Sequence, residues 1–546
     1  QENYDVIQEM EPVDTSELPS VENESNQQEK CHLKPIIVES EKKLLEMTRK
    51  LSPEQMLVLV IMVDYHKRLR LSEEFGCEVC LEPPRLIVTG GGGVGKTYVI
   101  DLVSQWIEKI LRKPGDHPLK PKVLLLGPTG MAAYLIHGTT LHSGLGFKFG
   151  SRQYLPLRNA KLDEFRSFFE ELELIIMDEF SMISTDMLHD VNRRMQEIMI
   201  SKDPFGGRSI MLFGDILQLP PVRARSIFSR PFSQKNRSLY NSSDNLWKNM
   251  EVVTLKENQR QGIGKWTNCL NRIRTGDATE EDKTLLETRR LRHFPDLNTD
   301  QACHVFYTNL EVNNYNEKRL NIINDELVHV QAGGIYPRGV RPTESNGMVE
   351  NTPFVKNLYL KKGARVMLTH NVSLSDSLVN GVLGTILDFV YEDSKVKAVI
   401  ISFDNAEVGQ QQMKDKSQDC SRYFEQNGCP IYRSTLEHSM KKYGGARGKT
   451  IQFPLRLAWA STTHKLQGTT IKKGSDLIVH GHKNMPKSMY YVMLSRSTCL
   501  ENVYLDENVD LDKMICDEAA LQEKIRMDEV SIDLKILNEN FDLFYV

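Results

Sequence analysis

Arg85-Leu86-Ile87-Val88-Thr89-Gly90-Gly91-Gly92-Gly93-Val94-Gly95-Lys96-Thr97 is the stretch that decides the fold. An apolar run, Leu86-Ile87-Val88, enters a glycine-rich turn, and an amphipathic segment from Tyr98 to Leu111 leaves it. Strand, turn and helix start in this order surround a polyphosphate with backbone N–H groups and the positive end of a helix dipole. The spacing assigns Gly90, Gly91, Gly92, Gly93, Val94 and Gly95 to a phosphate cradle. It assigns Lys96 to the β and γ phosphates of ATP and Thr97 to the accompanying Mg²⁺.

The rest of the chain is long enough to build on that loop. At 546 residues it predicts three or four domains by a prior of about 150 residues each. No run approaches the length of a membrane span and no basic-then-apolar leader opens the sequence, so a soluble intracellular protein is expected. A start at Gln1 rather than Met is expected of a segment cut from a longer polypeptide. The net charge of −4 is unevenly spread: residues 1–40 hold ten Asp and Glu against two Lys, and the remainder is net basic. Whole-chain charge therefore does not exclude a nucleic-acid groove, and residues 1–40 read as a disordered acidic tail or linker. Nine scattered cysteines fit reduced thiols rather than a disulfide framework. Cys77 and Cys80 form the one C-x-x-C and lack a second pair at zinc spacing, so they read as free thiols.

Short apolar runs at Leu86–Val88, Val123–Leu126, Leu174–Met177 and Ile210–Phe213, separated by helical patterns, predict a parallel sheet with crossover helices. Loops at the carboxyl ends of such strands carry the ligand site. Leu174-Ile175-Ile176-Met177 ends in Asp178-Glu179, the first acid suited to the Mg²⁺ shell and the second to polarising an attacking water. Phe213-Gly214-Asp215-Ile216-Leu217-Gln218 places Gln218 where an amide can contact the γ-phosphate or that water. Arg260 and Arg496 are the candidates for transition-state charge.

The order of these elements resembles the Pif-type, RecD-like branch of superfamily 1 DNA helicases across about residues 50–506. Leu51-Ser52-Pro53-Glu54-Gln55 is similar to that family's adenine-reading segment, which implies that Gln55 contacts the base. Gly127-Pro128-Thr129-Gly130-Met131-Ala132-Ala133 and Gly138-Thr139-Thr140-Leu141-His142-Ser143 resemble its DNA-contacting motifs, implying DNA contacts for Thr129, Gly130, Thr140 and His142. Phe205-Gly206-Gly207 and Asp190 to Arg194 resemble the signature between the next pair of motifs. Thr462 to Thr469 and Tyr491 to Arg496 resemble the last two motifs. They imply DNA contacts for Thr463, His464 and Lys465, a nucleotide contact at Gly468 and an arginine finger at Arg496.

Arg365–Leu368, Gly384–Leu387 and Val399–Phe403, punctuated by Gly363, Asn380-Gly381 and Asp404-Asn405, read as short strands joined by turns. They resemble the family's inserted SH3-like barrel, while 405–450 reads as a long exposed insertion. The expected fold class is α/β, two RecA-like parallel-sheet motor domains with a small SH3-like β-barrel inserted in the second. The expected boundaries are 41–235 for the first motor, with a small insertion near 143–165, then 236–355 with 441–546 for the second, and 356–440 for the barrel and insertion.

The resemblance implies an ATP-dependent DNA helicase moving 5′ to 3′ on single-stranded DNA, with Mg²⁺-ATP in a cleft between the motors. Tailed or forked duplexes are its expected partners. A DNA-stimulated ATPase clamp without strand separation is the alternative. The acidic start also resembles the linker before the carboxyl-terminal helicase of Helitron transposases, which implies an upstream nickase domain and a nuclear location. Genome maintenance and viral replication are rival contexts that no residue separates. His480-Gly481-His482 with Tyr490-Tyr491 is superficially similar to a nickase site, but Gly481 fits a loop better. Trp247, Trp266 and Trp459 read as packing residues.

Overall fold

The computed structural model describes residues 4–5, 35–76, 81–147, 154–158, 160–230, 245–257, 264–300, 302–337, 344–345, 347–349, 352–373, 376–440, 446–471 and 474–533. Contacts divide the chain into two compact units, Gln1–His32 with Leu297–Lys465, and Leu33–Asp296 with Leu466–Val546.

The second of these units is organised by a six-stranded parallel sheet. Its strands are β1 (Arg85–Thr89), β2 (Val123–Gly127), β3 (Thr139–Thr140), β4 (Leu174–Met177), β5 (Ser209–Gly214) and β6 (Glu251–Thr254), in the order β3-β2-β4-β5-β1-β6. Leu86, Ile87 and Val88 and the whole of β4 are fully buried, as expected of strands covered on both faces. Two helices supply much of one cover. α1 (Pro53–Phe75) starts at a capping box, with Ser52 and Gln55 exchanging side-chain and backbone bonds and Pro53 in the first turn, and stops at left-handed Gly76. α2 (Lys96–Leu111) buries Val99, Leu102, Val103 and Ile107 in the same core as Leu57, Leu59, Met62 and Val63 of α1. Trp247 and Trp266 are buried here, in agreement with a packing role.

The other unit carries an antiparallel five-stranded sheet. β7 (Arg365–Leu368), β8 (Leu383–Glu392), β9 (Lys395–Phe403), β10 (Gly428–Tyr432) and β11 (Leu455–Leu457) lie in the order β10-β9-β8-β7-β11. Register shifts at Ile386/Asp388 and Val390/Tyr391 bend the long β8–β9 pair. Trp459 is buried.

Two expectations need correction. Residues 405–450 are not simply an exposed insertion: β10 completes the antiparallel sheet with Cys429 and Ile431 buried in it, and Met413 and Cys420 before it are buried as well. Their apolar side chains are interspersed among Gln, Lys and Asp, which hides the packing stripe. The same stretch supplies Ser434–Met440 and Ala446–Gln452, which pair as a hairpin. The acidic tail ends before residue 35 rather than at 40, because Ile36 packs against the core and the Glu39 N–H donates to Gln105 Oε1 at 3.0 Å. Most of the tail, part of the small insertion near 143–165, and Cys77 with Cys80 lie outside the described residues. The compact units change over at 296/297 and 465/466.

Candidate active site

The loop Gly90–Gly95 leaves β1 and turns into α2 through two left-handed residues, Gly93 at φ +89° and Gly95 at φ +78°. These are angles at which an L side chain is strained. Gly95 provides no side-chain cap, so the first turn of α2 keeps its N–H groups for another acceptor. Lys96 Nζ reaches back to the carbonyls of Gly90 and Gly91, at 2.8 and 2.9 Å. Burial lowers its pKa, against the opposing pull of Asp215, Glu179 and Asp178, so these acids surround the lysine. Thr97 beside it is exposed.

Asp178 and Glu179 follow β4 and are both buried. Glu179 has a left-handed backbone at φ +51°, a conformation that costs a non-glycine residue roughly 1–2 kcal/mol. The turn is held by Asp178 Oδ1, which accepts the Glu179 N–H at 2.8 Å. Burial and the adjacent Glu179 raise the Asp178 pKa, while the Glu179 N–H and Lys96 oppose them. Gln467 Nε2 donates to Ser181 Oγ at 3.2 Å and lies 3.5 Å from Glu179 Oε2. At Gly468, φ is +82° and an added Cβ would sit 3.3 Å from Glu179 Oε1, so the glycine gives the carboxylate room.

Asp215 and Gln218 follow β5. Asp215 is completely buried and is gripped by Arg274 on both oxygens, the shortest contact being Nη2 to Oδ1 at 2.7 Å. Burial opposes ionisation of Asp215, yet the Arg274 guanidinium holds its pKa below the ordinary value. Gln218 Nε2 approaches Asp215 Oδ2 at 3.4 Å, and among the described residues its buried Oε1 has no hydrogen-bond partner. Arg274 ends the helix α3 (Lys265–Thr275), just before left-handed Gly276, and its guanidinium lies beside Gly91. Sequence reasoning missed Arg274; the only local signal is a basic last turn ahead of a glycine stop.

Arg496 is buried, with Nε on the Val492 carbonyl at 2.9 Å, Nη1 on the Thr469 carbonyl at 3.2 Å and Nη2 on Ser495 Oγ at 2.9 Å. It belongs to the compact unit that holds the phosphate loop. Arg260 lies outside the described residues. Gln55 is buried with both ends of its amide engaged, Oε1 on the Ser52 N–H at 2.9 Å and Nε2 on the Val94 carbonyl at 2.9 Å. It therefore ties the start of α1 directly to the phosphate loop.

The proposed DNA contacts fall in both units. Thr129 and Thr140 are helix N-caps, accepting from Ala132 N–H and Ser143 N–H at 3.2 Å each, and His142 is half-buried. Gly130 opens the short helix that Thr129 caps. In the other unit Thr463 is fully buried, its hydroxyl donating to the Phe306 carbonyl at 3.4 Å, while His464 is half-buried and Lys465 exposed. His480-Gly481-His482 is a loop: an added Cβ at Gly481 would lie 1.9 Å from the Asn508 carbonyl oxygen.

Comparison with known proteins gives the following likenesses. The family model described as PIF1-like helicase matches residues 77–284, and one described as DNA helicase Pif1, 2B domain, matches residues 346–389. The ATP-dependent DNA helicase Pif1 of Campylobacter jejuni is 28% identical over 436 residues, covering 77% of this chain and 88% of that protein. Uncharacterized protein 030L of Invertebrate iridescent virus 6 is 24% identical over 525 residues, covering 84% and 95%. The crystal structure of Bacteroides Pif1 bound to ssDNA aligns with TM-score 0.58 at 26% identity, over 81% of this chain and 93% of that one. Candida albicans Pif1 aligns with TM-score 0.63 at 23% identity, over 87% and 99%, and carries the likeness of fold alone.

Proposed function

The chain belongs to the PIF1-like helicase family, and from that premise we propose that it is an ATP-dependent DNA helicase moving 5′ to 3′ on single-stranded DNA and separating duplexes ahead of it. The observation that carries this reading is the convergence of Lys96, Asp178, Glu179 and Asp215 beyond the carboxyl ends of three parallel strands. Lys96 addresses the terminal phosphates after leaving the Gly90 and Gly91 carbonyls. The uncapped start of α2 and the loop N–H groups hold phosphate oxygens. Glu179 polarises the attacking water, and Gln467 with Gly468 keeps that carboxylate oriented.

The donor set fits Mg²⁺. The exposed Thr97 hydroxyl and a carboxyl pair in which burial, and then the neighbouring Glu179, raise the Asp178 pKa suit a divalent cation, which would neutralise phosphate charge when bound. Thr129, Gly130, Thr140, His142, Thr463, His464 and Lys465 are the proposed DNA contacts. With hydroxyls committed to caps or to a carbonyl, the threonines act mainly by shaping backbone N–H groups toward phosphate, without reading sequence. Helitron transposition and a nuclear location remain the proposed context.

The decisive experiment is strand displacement with Mg²⁺-ATP on duplexes carrying either a 5′ or a 3′ single-stranded tail. Unwinding that requires the 5′ tail supports the proposal. Equal unwinding from a 3′ tail overturns the polarity, and DNA-stimulated hydrolysis without displacement establishes the clamp alternative.

A further inference from the structure

Tyr491 sits in the helix Met489–Leu494 and is buried against the phosphate loop. Its hydroxyl oxygen accepts the Gly92 N–H at 3.3 Å, and the hydroxyl donates to Asp215 Oδ2 at 3.1 Å. That carboxylate oxygen is crowded: Arg274 Nε also donates to it at 3.0 Å, and Gln218 Nε2 is left at 3.4 Å. A carboxylate oxygen offers about two good lone-pair directions, so three donors compete and the most distant is the weakest. Gln218 is that donor, and its Oε1 has no partner among the described residues. A buried amide so poorly satisfied is poised to move when its competitors shift.

We propose that Tyr491 is a positioning residue that holds the Gly92 amide in place of a phosphate oxygen and, through Asp215, couples the arrival of nucleotide to the placement of Gln218. Arg274 is the fixed partner in this device, because its two-oxygen grip keeps the carboxylate stationary while Tyr491 and Gln218 exchange. When a phosphate oxygen takes the Gly92 N–H, the Tyr491 hydroxyl loses one of its two partners and commits to Oδ2. Gln218, the weakest of the three donors, is then displaced from Asp215 toward the nucleotide. The proposal rests on the loop being a nucleotide site, as argued above, and adds a residue that reports its occupancy.

The test uses Tyr491→Phe, which keeps the ring and removes only the hydroxyl. Equilibrium binding of a fluorescent ADP analogue with Mg²⁺ is expected to tighten about threefold or more, because the Tyr491 hydroxyl no longer competes for the Gly92 N–H. Single-stranded-DNA-stimulated kcat is expected to fall about tenfold with KM for ATP little changed, and this loss should vanish in a Gln218→Ala background. Unchanged ADP affinity, or losses that multiply in the double variant, overturns the proposal. Failure of the parent chain to bind either nucleotide would instead defeat the reading of the loop. Arg274→Lys, which keeps charge but not the two-oxygen grip, is expected to reproduce the kcat loss without tightening ADP; tightened ADP there would overturn Arg274's fixed role.

Discussion

Strands β4 and β9 bury nearly identical material, Leu174-Ile175-Ile176-Met177 in one and Ala398-Val399-Ile400-Ile401 in the other, all fully inaccessible. Each run leads to a carboxylate. β4 runs straight into Asp178-Glu179, whose charges act on Lys96, whereas β9 leads to Asp404, which pairs at the surface with Arg365 at 2.6 Å. The difference lies in topology. In the parallel sheet every crossover returns the chain to the same edge, so the ends of β1, β4 and β5 deliver their loops to one place. In the antiparallel sheet consecutive strands end on opposite edges, and polar residues at their ends meet only near neighbours. Similar apolar runs thus build a candidate catalytic edge in one unit and a scaffold in the other.

The largest expected effect breaks the first side of that comparison. Lys96→Ala should abolish DNA-stimulated ATP hydrolysis while leaving single-strand affinity within a few-fold of the parent, since the lysine's ammonium is held at the carbonyls of the phosphate loop. Normal turnover by the purified variant would remove Lys96 from the reaction. Arg496→Ala should lower kcat on the order of 10³-fold if its guanidinium leaves the Val492 and Thr469 carbonyls to meet transition-state charge. A loss of thermal stability with unchanged kcat would show that it serves as a brace. Ile176→Ala and Ile400→Ala probe the shared packing. Each should cost about 2–5 kcal/mol in denaturant unfolding, and only the first should also lower hydrolysis. Equal loss of hydrolysis from both would mean that the scaffold sheet is part of the motor's chemistry.

Much of the candidate site was legible because each proposed group there is local to a strand end: Lys96, Asp178, Glu179 and Gln218 all follow apolar runs within a few residues. Arg274 was not, because it lies 59 residues from the carboxylate it grips and only the folded chain joins them. Tyr491 was visible as a motif residue, but its link to Asp215 spans 276 positions. The antiparallel strands were readable from their turns, with left-handed Gly363 and Gly381 where the sequence predicts them. β10 escaped because Gly428-Cys429-Pro430-Ile431-Tyr432 has neither alternation nor β-branched enrichment, and Pro430 argues against a strand. It is tolerated because β10 is the edge strand of its sheet.

The smallest expected effect tests whether Asp404 is as inert as its position implies. Its two oxygens meet the two terminal nitrogens of Arg365 at 2.6 and 2.7 Å, an arrangement more favourable than most surface pairs. Both side chains are nonetheless solvent-accessible, at 30% for Arg365 and 49% for Asp404, so water screens the attraction. Asp404→Asn should therefore reduce stability by less than about 1 kcal/mol, measured by chemical unfolding, and that reduction should shrink further in high salt. ATP hydrolysis should stay unchanged, because Asp404 is held by a neighbour on its own sheet rather than by any group near Lys96. A clear fall in kcat from this substitution would tie the outer edge of the antiparallel sheet to the reaction and dissolve the division between catalytic edge and scaffold.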